Sequence, residues 1–320
     1  MKLEGDAVAL RHLFENERAL AAGQVPPHRI LVIGTGGGMS CIRAAAYLAA
    51  FRDAGIDRAI DHAITVSGSG GGMGAFLSGM PHRAIRMFES LAVSGFITST
   101  RFGGQEMKLK KLGEVLRGAH SPVAFNDARI RQHRTSWHVV ATRLSGESLL
   151  IDAKLASPDT AQAVLASSAF PRLTSPVSLG VAAGAEAEDY VDGACGMPMP
   201  ITAGIKKFRP TTVIVLESRP HPKFLPWFER HLWPVLAPVF LAGMPVRLRR
   251  GVAAMDATFA HEAARLAQLK RIKWCRITPS HEAVPVGALT TDRRVLRKAA
   301  DEAGRFMRDT LAAAAPVAVV

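Results

Sequence analysis

The sequence predicts a layered α/β domain whose central sheet is largely parallel. Two mainly apolar runs, at residues 30–33 and 211–216, are typical of strands buried on both faces of a sheet. Strand patterns alternate with helix patterns along most of the chain, as expected when helices connect parallel strands. A length of 320 residues with 48% hydrophobic content is ample for one core of this kind. We therefore expect a single domain over residues 1–320.

The predicted elements follow in order along the chain. Helices are assigned from apolar residues at helical spacing and from closing Gly or Pro, and strands from short apolar or β-branched runs. Helices are predicted at residues 3–22, 41–54, 73–80, 83–94, 108–117, 159–167, 253–270 and 291–314. Strands are predicted at residues 30–33, 63–66, 137–142, 148–153, 211–216 and 272–277, with a further short strand before Asp192.

The formal net charge of +13 is compatible with nucleic acid, an anionic membrane or plain solubility. The basic residues are scattered, and the short clusters at residues 108–111 and 247–250 have no interleaved aromatic platform. No nucleic-acid motif accompanies them. We therefore expect no nucleic-acid partner and favour weak attraction to an anionic membrane surface.

Cysteine usage and hydropathy indicate the compartment. The three cysteines are widely spaced and form neither a disulfide framework nor a metal-binding pattern, at Cys41, Cys195 and Cys275. The first residues contain no apolar signal core, and no run of about 18 uninterrupted apolar residues occurs. The sequence therefore predicts a cytoplasmic protein, with peripheral contact at the inner membrane face as an extension of that prediction.

A serine within a run of glycines follows the strand predicted at residues 63–66. The segment reads Val66-Ser67-Gly68-Ser69-Gly70-Gly71-Gly72-Met73, and a strand, a tight small-residue turn and a helix form the nucleophile-elbow pattern. With Ser69 at the centre of the G-x-S-x-G signature, Ser67 takes the first position and Gly71 the last. The segment therefore predicts Ser69 as a nucleophile. The alternative is a glycine-rich turn that only connects strand to helix.

A second glycine-rich loop follows the strand at residues 30–33. In Gly34-Thr35-Gly36-Gly37-Gly38-Met39 the first two glycines of a dinucleotide-binding G-x-G-x-x-G are present, but Met39 occupies the third glycine position. The other use of such a loop is an oxyanion hole, in which backbone amides near a helix N-terminus face a developing negative charge. We favour the oxyanion hole, formed by Gly36, Gly37 and Gly38.

Residues 221–250 differ in composition from the rest of the chain. Proline recurs five times, aromatic residues are frequent, and basic residues lie at both ends. One interpretation is a long surface loop with buried anchors. The other is a lid or acyl pocket that touches lipid, with Trp227, Phe228 and Trp233 as contacts, because tryptophan and phenylalanine beside arginine favour the membrane interface.

Taken together, the motifs resemble the patatin-like phospholipase family, and bacterial members most closely. The glycine loop, the serine elbow and Asp192-Gly193-Ala194 occur in the order of that family between about residues 30 and 216. The segment Ala166-Ser167-Ser168-Ala169-Phe170-Pro171 and the prolines Pro198 and Pro200 match further parts of its pattern. Departures from the family pattern are Ser67 in place of the first elbow glycine, Met39 after the glycine loop, and Met197.

The resemblance implies a three-layer α/β/α fold with a catalytic core at about residues 29–217, a lid-like segment at about 221–250 and a helical part at about 251–320. It implies a lipid acyl hydrolase of the phospholipase A, lysophospholipase or carboxylesterase type, which uses neither cofactor nor metal. Ser69 and Asp192 would form a dyad, and Gly36, Gly37 and Gly38 the oxyanion hole. The alternative is a catalytically weak or inactive relative that binds lipid or a partner.

A serine-histidine-acid triad is the rival to the dyad, because His221, His231, His261 and His281 all follow Asp192 in the sequence. Only His281 falls in a loop after a predicted strand. A histidine base would titrate near pH 6.5, whereas an aspartate should be ionised well below that pH. We therefore expect Asp192 to act directly on the serine.

Overall fold

The computed structural model describes residues 1–99, 105–118, 121, 123–181, 186–219 and 241–316. Within these residues, a large and mostly parallel sheet carries helices on both faces. The layered α/β fold class predicted from the sequence is therefore confirmed.

The described residues contain the following elements. The strands are β1 (Lys2–Gly5), β2 (Ile30–Gly34), β3 (His62–Val66), β4 (Ile97–Ser99), β5 (Gln105–Met107), β6 (Ser136–Arg143), β7 (Ser148–Asp152), β8 (Val177–Leu179), β9 (Glu188–Asp192), β10 (Thr212–Leu216) and β11 (Lys273–Thr278). The helices are α1 (Val8–Ala21), α2 (Ile42–Asp53), α3 (Ser69–Leu77), α4 (Pro81–Val93), α5 (Leu109–Arg117), α6 (Asp127–Gln132), α7 (Thr160–Ser167), α8 (Ile201–Phe208), α9 (Val246–Ala253), α10 (Met255–Leu266) and α11 (Arg293–Ala314).

Among the described strands, nine form the large sheet, in the order β1-β11-β10-β2-β3-β6-β9-β8 with β7 also paired to β6. Neighbouring strands from β11 to β6 run parallel. The pairs at both edges, β1 with β11 and β9 with β6 and β8, are antiparallel. Strands β4 and β5 form a separate antiparallel pair. The carboxyl ends of β2 and β3 therefore meet at one edge of the sheet, where loops carry functional residues in open α/β sheets.

Strand β2 shows why the sheet is buried on both faces. Ile30 and Val32 belong to the core that packs against α2, whereas Leu31 and Ile33 belong to the core on the opposite side, with residues of α8 and α10. Successive side chains of a strand point to opposite faces, so an uninterrupted apolar run fills two layers at once. Burying each of these side chains contributes roughly 1.5–3 kcal/mol.

The first predicted helix begins later than expected. Residues 2–5 form β1, an edge strand paired with β11, and α1 starts only at Val8. Gly5 adopts φ +90°, which ends the strand, and the Asp6 carboxylate accepts a hydrogen bond of 2.9 Å from the Val8 N–H. An acidic side chain near the first turn satisfies a helix N–H that has no intrahelical partner.

Helix α3 begins earlier than the predicted residues 73–80, and its first residues include consecutive glycines. Two of these glycines are required by close packing. A Cβ on Gly71 would lie 2.5 Å from Met87 Cε, and one on Gly72 would lie 3.3 Å from the backbone of Ala45. The predicted helix at residues 253–270 is shorter, as α10, and a second helix, α9, precedes it. Among the described residues, no helix combines the length and the apolar character needed to cross a bilayer.

Candidate active site

Strand register brings the ends of β3 and β9 to the same level on either side of β6. Val66, the last residue of β3, pairs with Val140. Asp192, the last residue of β9, pairs with the next residue of β6, Ala141. Ser67 follows Val66 directly, both Ser67 and Asp192 line one cavity, and the Ser67 hydroxyl lies near enough to the Asp192 carboxyl to favour its ionised form. The sheet therefore positions this serine and this acid next to each other.

Ser67 occupies the sharp turn between β3 and α3. Its φ is +55°, in the left-handed region that is costly for residues other than glycine, by about 1–3 kcal/mol. Its side chain lines a cavity, together with Asp192 and the glycine loop. A strained serine between strand and helix that faces a cavity has the geometry of a nucleophile elbow.

Ser69, the nucleophile predicted from the sequence, has a different position. It lies in the first turn of α3, is 1% exposed and does not line that cavity. Its Oγ is 2.9 Å from the carbonyl oxygen of Gly34 and 2.8 Å from that of Val66, and it accepts a hydrogen bond of 3.0 Å from the Val66 N–H. The Ser69 hydroxyl thus ties the ends of β2 and β3 together. Of the two serines, Ser67 rather than Ser69 is the one that the structure places beside the acid and in the cavity.

With Ser67 as the central residue, the elbow signature reads Thr65-Val66-Ser67-Gly68-Ser69, and neither of its outer glycines is present. The side chains at the two glycine positions, Thr65 and Ser69, both make hydrogen bonds. The Oγ1 of Thr65 accepts a bond of 2.9 Å from the indole N–H of Trp137, and Ser69 makes the contacts described above. The turn therefore keeps its shape without the signature glycines.

Asp192 is 2% exposed at the end of β9. Burial raises the pKa of Asp192 to about 7, although hydrogen bonds from Ser67 and from the Ala194 N–H, at 2.8 Å, act in the opposite direction. The expectation that this acid is ionised well below pH 6.5 is therefore corrected, because the buried carboxylate has lost most of its hydration.

Gly193 follows the acid and allows close approach to β6. A Cβ at this position would lie 2.2 Å from the carbonyl oxygen of Val140. This approach, rather than a left-handed turn, explains the need for glycine after the acid.

The end of α7 and the residues that follow it hold the backbone of both Ser67 and Asp192. The Oγ of Ser167 accepts a hydrogen bond of 2.9 Å from the Ser67 N–H and donates one of 2.6 Å to the Val140 carbonyl oxygen. Two residues later, the carbonyl oxygen of Ala169 accepts a hydrogen bond of 3.0 Å from the Asp192 N–H. The alanine-serine-serine-alanine segment noted in the sequence thus links the serine to the acid.

The glycine loop lies where it was predicted, beside the serine. Gly36, Gly37 and Gly38 line the same cavity as Ser67 and Asp192. Gly38 has φ +54°, and a Cβ there would lie 2.4 Å from the carbonyl oxygen of Ala288. Among the described residues, no backbone hydrogen bond is donated by the three glycine N–H groups. They therefore suit the stabilisation of a developing oxyanion.

The cavity has a volume of about 180 Å³ and mainly apolar walls. Phe170, Ala194 and Pro198 belong to motifs noted in the sequence, but sequence reasoning did not identify the other lining residues, which come from β5, α10 and loops that carry no motif. Besides the glycine loop, Ser67 and Asp192, the lining consists of Met107, Phe170, Leu173, Ala194, Pro198, Arg219, Met255, Asp256, Phe259, Ala288 and Leu289.

Histidine is not part of this cavity within the described residues. The His281 side chain is 73% exposed and lies 3.8 Å from the carboxylate of Glu282. His261 is exposed on α10. His221 and His231 lie outside the described residues, as do the three predicted lipid contacts, Trp227, Phe228 and Trp233.

Comparison with known proteins adds little to this geometry. No family model matches the chain, and no curated protein shows significant similarity to it. Among solved structures, the chain is similar to VipD from Legionella pneumophila, with 13% sequence identity and a TM-score of 0.44. The alignment covers 89% of this chain and 68% of VipD. The function proposed below therefore rests on the site itself.

Proposed function

We propose that this chain is a serine hydrolase that cleaves carboxylic esters of lipid type, as a phospholipase A, a lysophospholipase or a carboxylesterase does. The observation that carries the proposal is the pairing of a strained serine, Ser67, with a buried acid, Asp192, in an apolar cavity lined by a glycine loop. Nucleophile, base and oxyanion donors are the three parts that acyl transfer requires.

In the proposed reaction, the Oγ of Ser67 attacks the ester carbonyl carbon while the Asp192 carboxylate takes the hydroxyl proton. The N–H groups of Gly36, Gly37 and Gly38 stabilise the oxyanion of the tetrahedral intermediate. Its collapse breaks the bond to the alcohol, which leaves with the proton from Asp192. Water then attacks the acyl-enzyme in the same manner, releasing the carboxylic acid and restoring Ser67.

Burial makes Asp192 a better base than an ordinary carboxylate. An aspartate with its usual pKa is a weak acceptor for a serine proton, whereas a pKa of about 7 places this acid near the strength of histidine. The ionised fraction of Asp192 should therefore limit the rate below neutral pH. The oxyanion donors supply the remaining stabilisation, and loss of one such donor typically costs about 100- to 1000-fold in rate.

A covalent probe tests the assignment. An organophosphonate should phosphonylate Ser67, and fragmentation mass spectrometry can separate an adduct on Ser67 from one on Ser69. We expect Ser67→Ala to abolish labelling and hydrolysis of a chromogenic ester, and Ser69→Ala, two residues away, to retain labelling. An adduct that persists in Ser67→Ala and disappears in Ser69→Ala would restore the original assignment.

A folded protein that forms no adduct and hydrolyses no ester would favour the second interpretation, an inactive lipid- or partner-binding relative. In the sequence, the altered elbow with Ser67 in place of its first glycine favours that interpretation. With Ser67 as the proposed nucleophile, the replaced positions are instead Thr65 and Ser69, whose side chains both make hydrogen bonds, so the altered signature by itself does not favour an inactive protein.

A further inference from the structure

A second, smaller cavity lies on the other side of Ser67. Three residues, Gly38, Ser67 and Met107, line both this inner chamber and the outer cavity, so the two spaces meet at the serine. The inner chamber has a volume of about 30 Å³. Its walls include Gly71 of α3, three residues of α4, Phe96 before β4 and Met107 of β5.

The two spaces differ in their access to solvent. Every side chain that lines the inner chamber is buried, including Met87, Phe88, Leu91 and Phe96. The outer cavity instead includes exposed Ala288 and other residues that are only half-buried. In ester hydrolysis the alcohol must leave and water must enter, whereas the acyl group stays on the serine between the two steps. The outer cavity suits the alcohol and water, and the inner chamber suits the acyl group.

Met87 forms part of the chamber wall, next to α3. Its terminal methyl lies over Gly71 of α3, at 2.5 Å from where a Cβ on that glycine would be. With about 30 Å³ against about 180 Å³, the chamber is about one sixth of the size of the outer cavity, so only a short acyl chain fits without a shift of Met87 or its neighbours.

We propose, resting on the function proposed above, that the inner chamber receives the acyl chain of the ester and that Met87 limits this chain to about four carbons or fewer. Of the three activities proposed above, this limit selects the carboxylesterase, because the acyl chains of phospholipids are longer than such a chamber admits. Each methylene that a hydrophobic pocket gains or loses changes kcat/KM by about 10- to 200-fold, so the limit should appear as a steep fall.

The test is a series of 4-nitrophenyl esters from acetate to decanoate. The parent protein should prefer chains of up to four carbons, with kcat/KM at least about 10-fold lower for octanoate than for butanoate. Met87→Ala should raise the octanoate-to-butanoate ratio by at least about 10-fold. Gly71→Ala should push the methionine into the chamber and lower the butanoate-to-acetate ratio. Ratios measured on one preparation do not depend on how much of it is folded.

Met307→Ala is the matched control, because Met307 is equally buried but belongs to α11, away from the chamber. It should leave both ratios unchanged. A parent protein that hydrolyses octanoate or decanoate best, or a Met87→Ala profile equal to that of the parent, would overturn the acyl-chamber assignment while leaving the hydrolase intact. Failure to hydrolyse any ester, with no adduct on Ser67, would instead overturn the proposed function and this inference with it.

Discussion

Asp192→Asn should change stability and activity in a pH-dependent way that follows from burial. In the parent protein the pKa of Asp192 is raised to about 7, from an ordinary value of 3.8. The folded state therefore binds this proton more tightly than the unfolded chain does. The contribution of Asp192 to the unfolding free energy is fully present below about pH 3.8 and is lost as the pH rises through 7. Asparagine, which is nearly isosteric and does not ionise, has no such dependence.

The size of the effect follows from the same two pKa values. Their difference, at about 1.4 kcal/mol for each pH unit, corresponds to about 4 kcal/mol of unfolding free energy. The unfolding free energy of Asp192→Asn, minus that of the parent, should therefore increase by up to about 4 kcal/mol between pH 4 and pH 8. Urea denaturation followed by circular dichroism at pH 4, 6 and 8 measures this difference, and other titrating groups cancel in it.

Hydrolysis by the same variant should be about 100- to 10,000-fold slower than that of the parent, the range for loss of a general base. In the parent, kcat/KM should rise with pH and reach half its plateau near pH 7. Asp256→Asn, which removes a different acid from the cavity wall, should keep most of the activity. A stability difference that is constant from pH 4 to pH 8, together with a parent activity step near pH 4, would refute the argument from burial.

Three further predictions follow from the site and the sequence. Ser69→Ala should lower the unfolding free energy, measured by urea denaturation, by about 1–3 kcal/mol, because buried backbone groups lose their hydrogen-bonding partner. The preference for acyl-chain length should stay the same, and an unchanged stability would contradict the structural role of that hydroxyl. Gly193→Ala should displace Asp192 or destabilise the fold, because the added methyl would overlap the Val140 carbonyl. Full ester hydrolysis together with a parental melting temperature would disprove the close approach of Gly193 to Val140. A Trp227→Ala, Trp233→Ala double variant should sediment less with anionic vesicles than the parent, and equal binding would indicate a purely structural segment.

The sequence predicts the layers well because the sheet is buried on both faces. Runs such as residues 30–33 and 211–216 admit few structures other than a central strand, and the observed β2 and β10 differ from them by one residue at a boundary. Strands at the edge of the sheet cannot be predicted from apolar runs in this way. The strand at Lys2–Gly5 has few apolar residues, and its place depends on pairing with β11, which lies more than 260 residues away in the sequence.

The sequence predicts which segments form the site, but not which serine lies beside the acid. The acid and the glycine loop lie beside the serine turn as expected, but the choice between Ser67 and Ser69 depends on one backbone angle. Glycine spacing favours Ser69, whereas the serine directly after Val66, the last residue of β3, is the one that the proposed function takes as the nucleophile. The raised pKa of Asp192 could not be read from the sequence, since it depends on how completely the neighbouring strands exclude water.

The bonds from Ser167 and Ala169 have a consequence for how this site can vary among proteins. The main chains of both residues of the proposed dyad are hydrogen-bonded to positions two apart in one segment, so a displacement of that segment would carry both residues together and preserve their separation. The elbow can then exchange its signature glycines for other small residues without losing alignment with the acid. Mutations of Ser167 and Ala169, which line neither cavity, should therefore be tolerated less than mutations in the elbow signature itself.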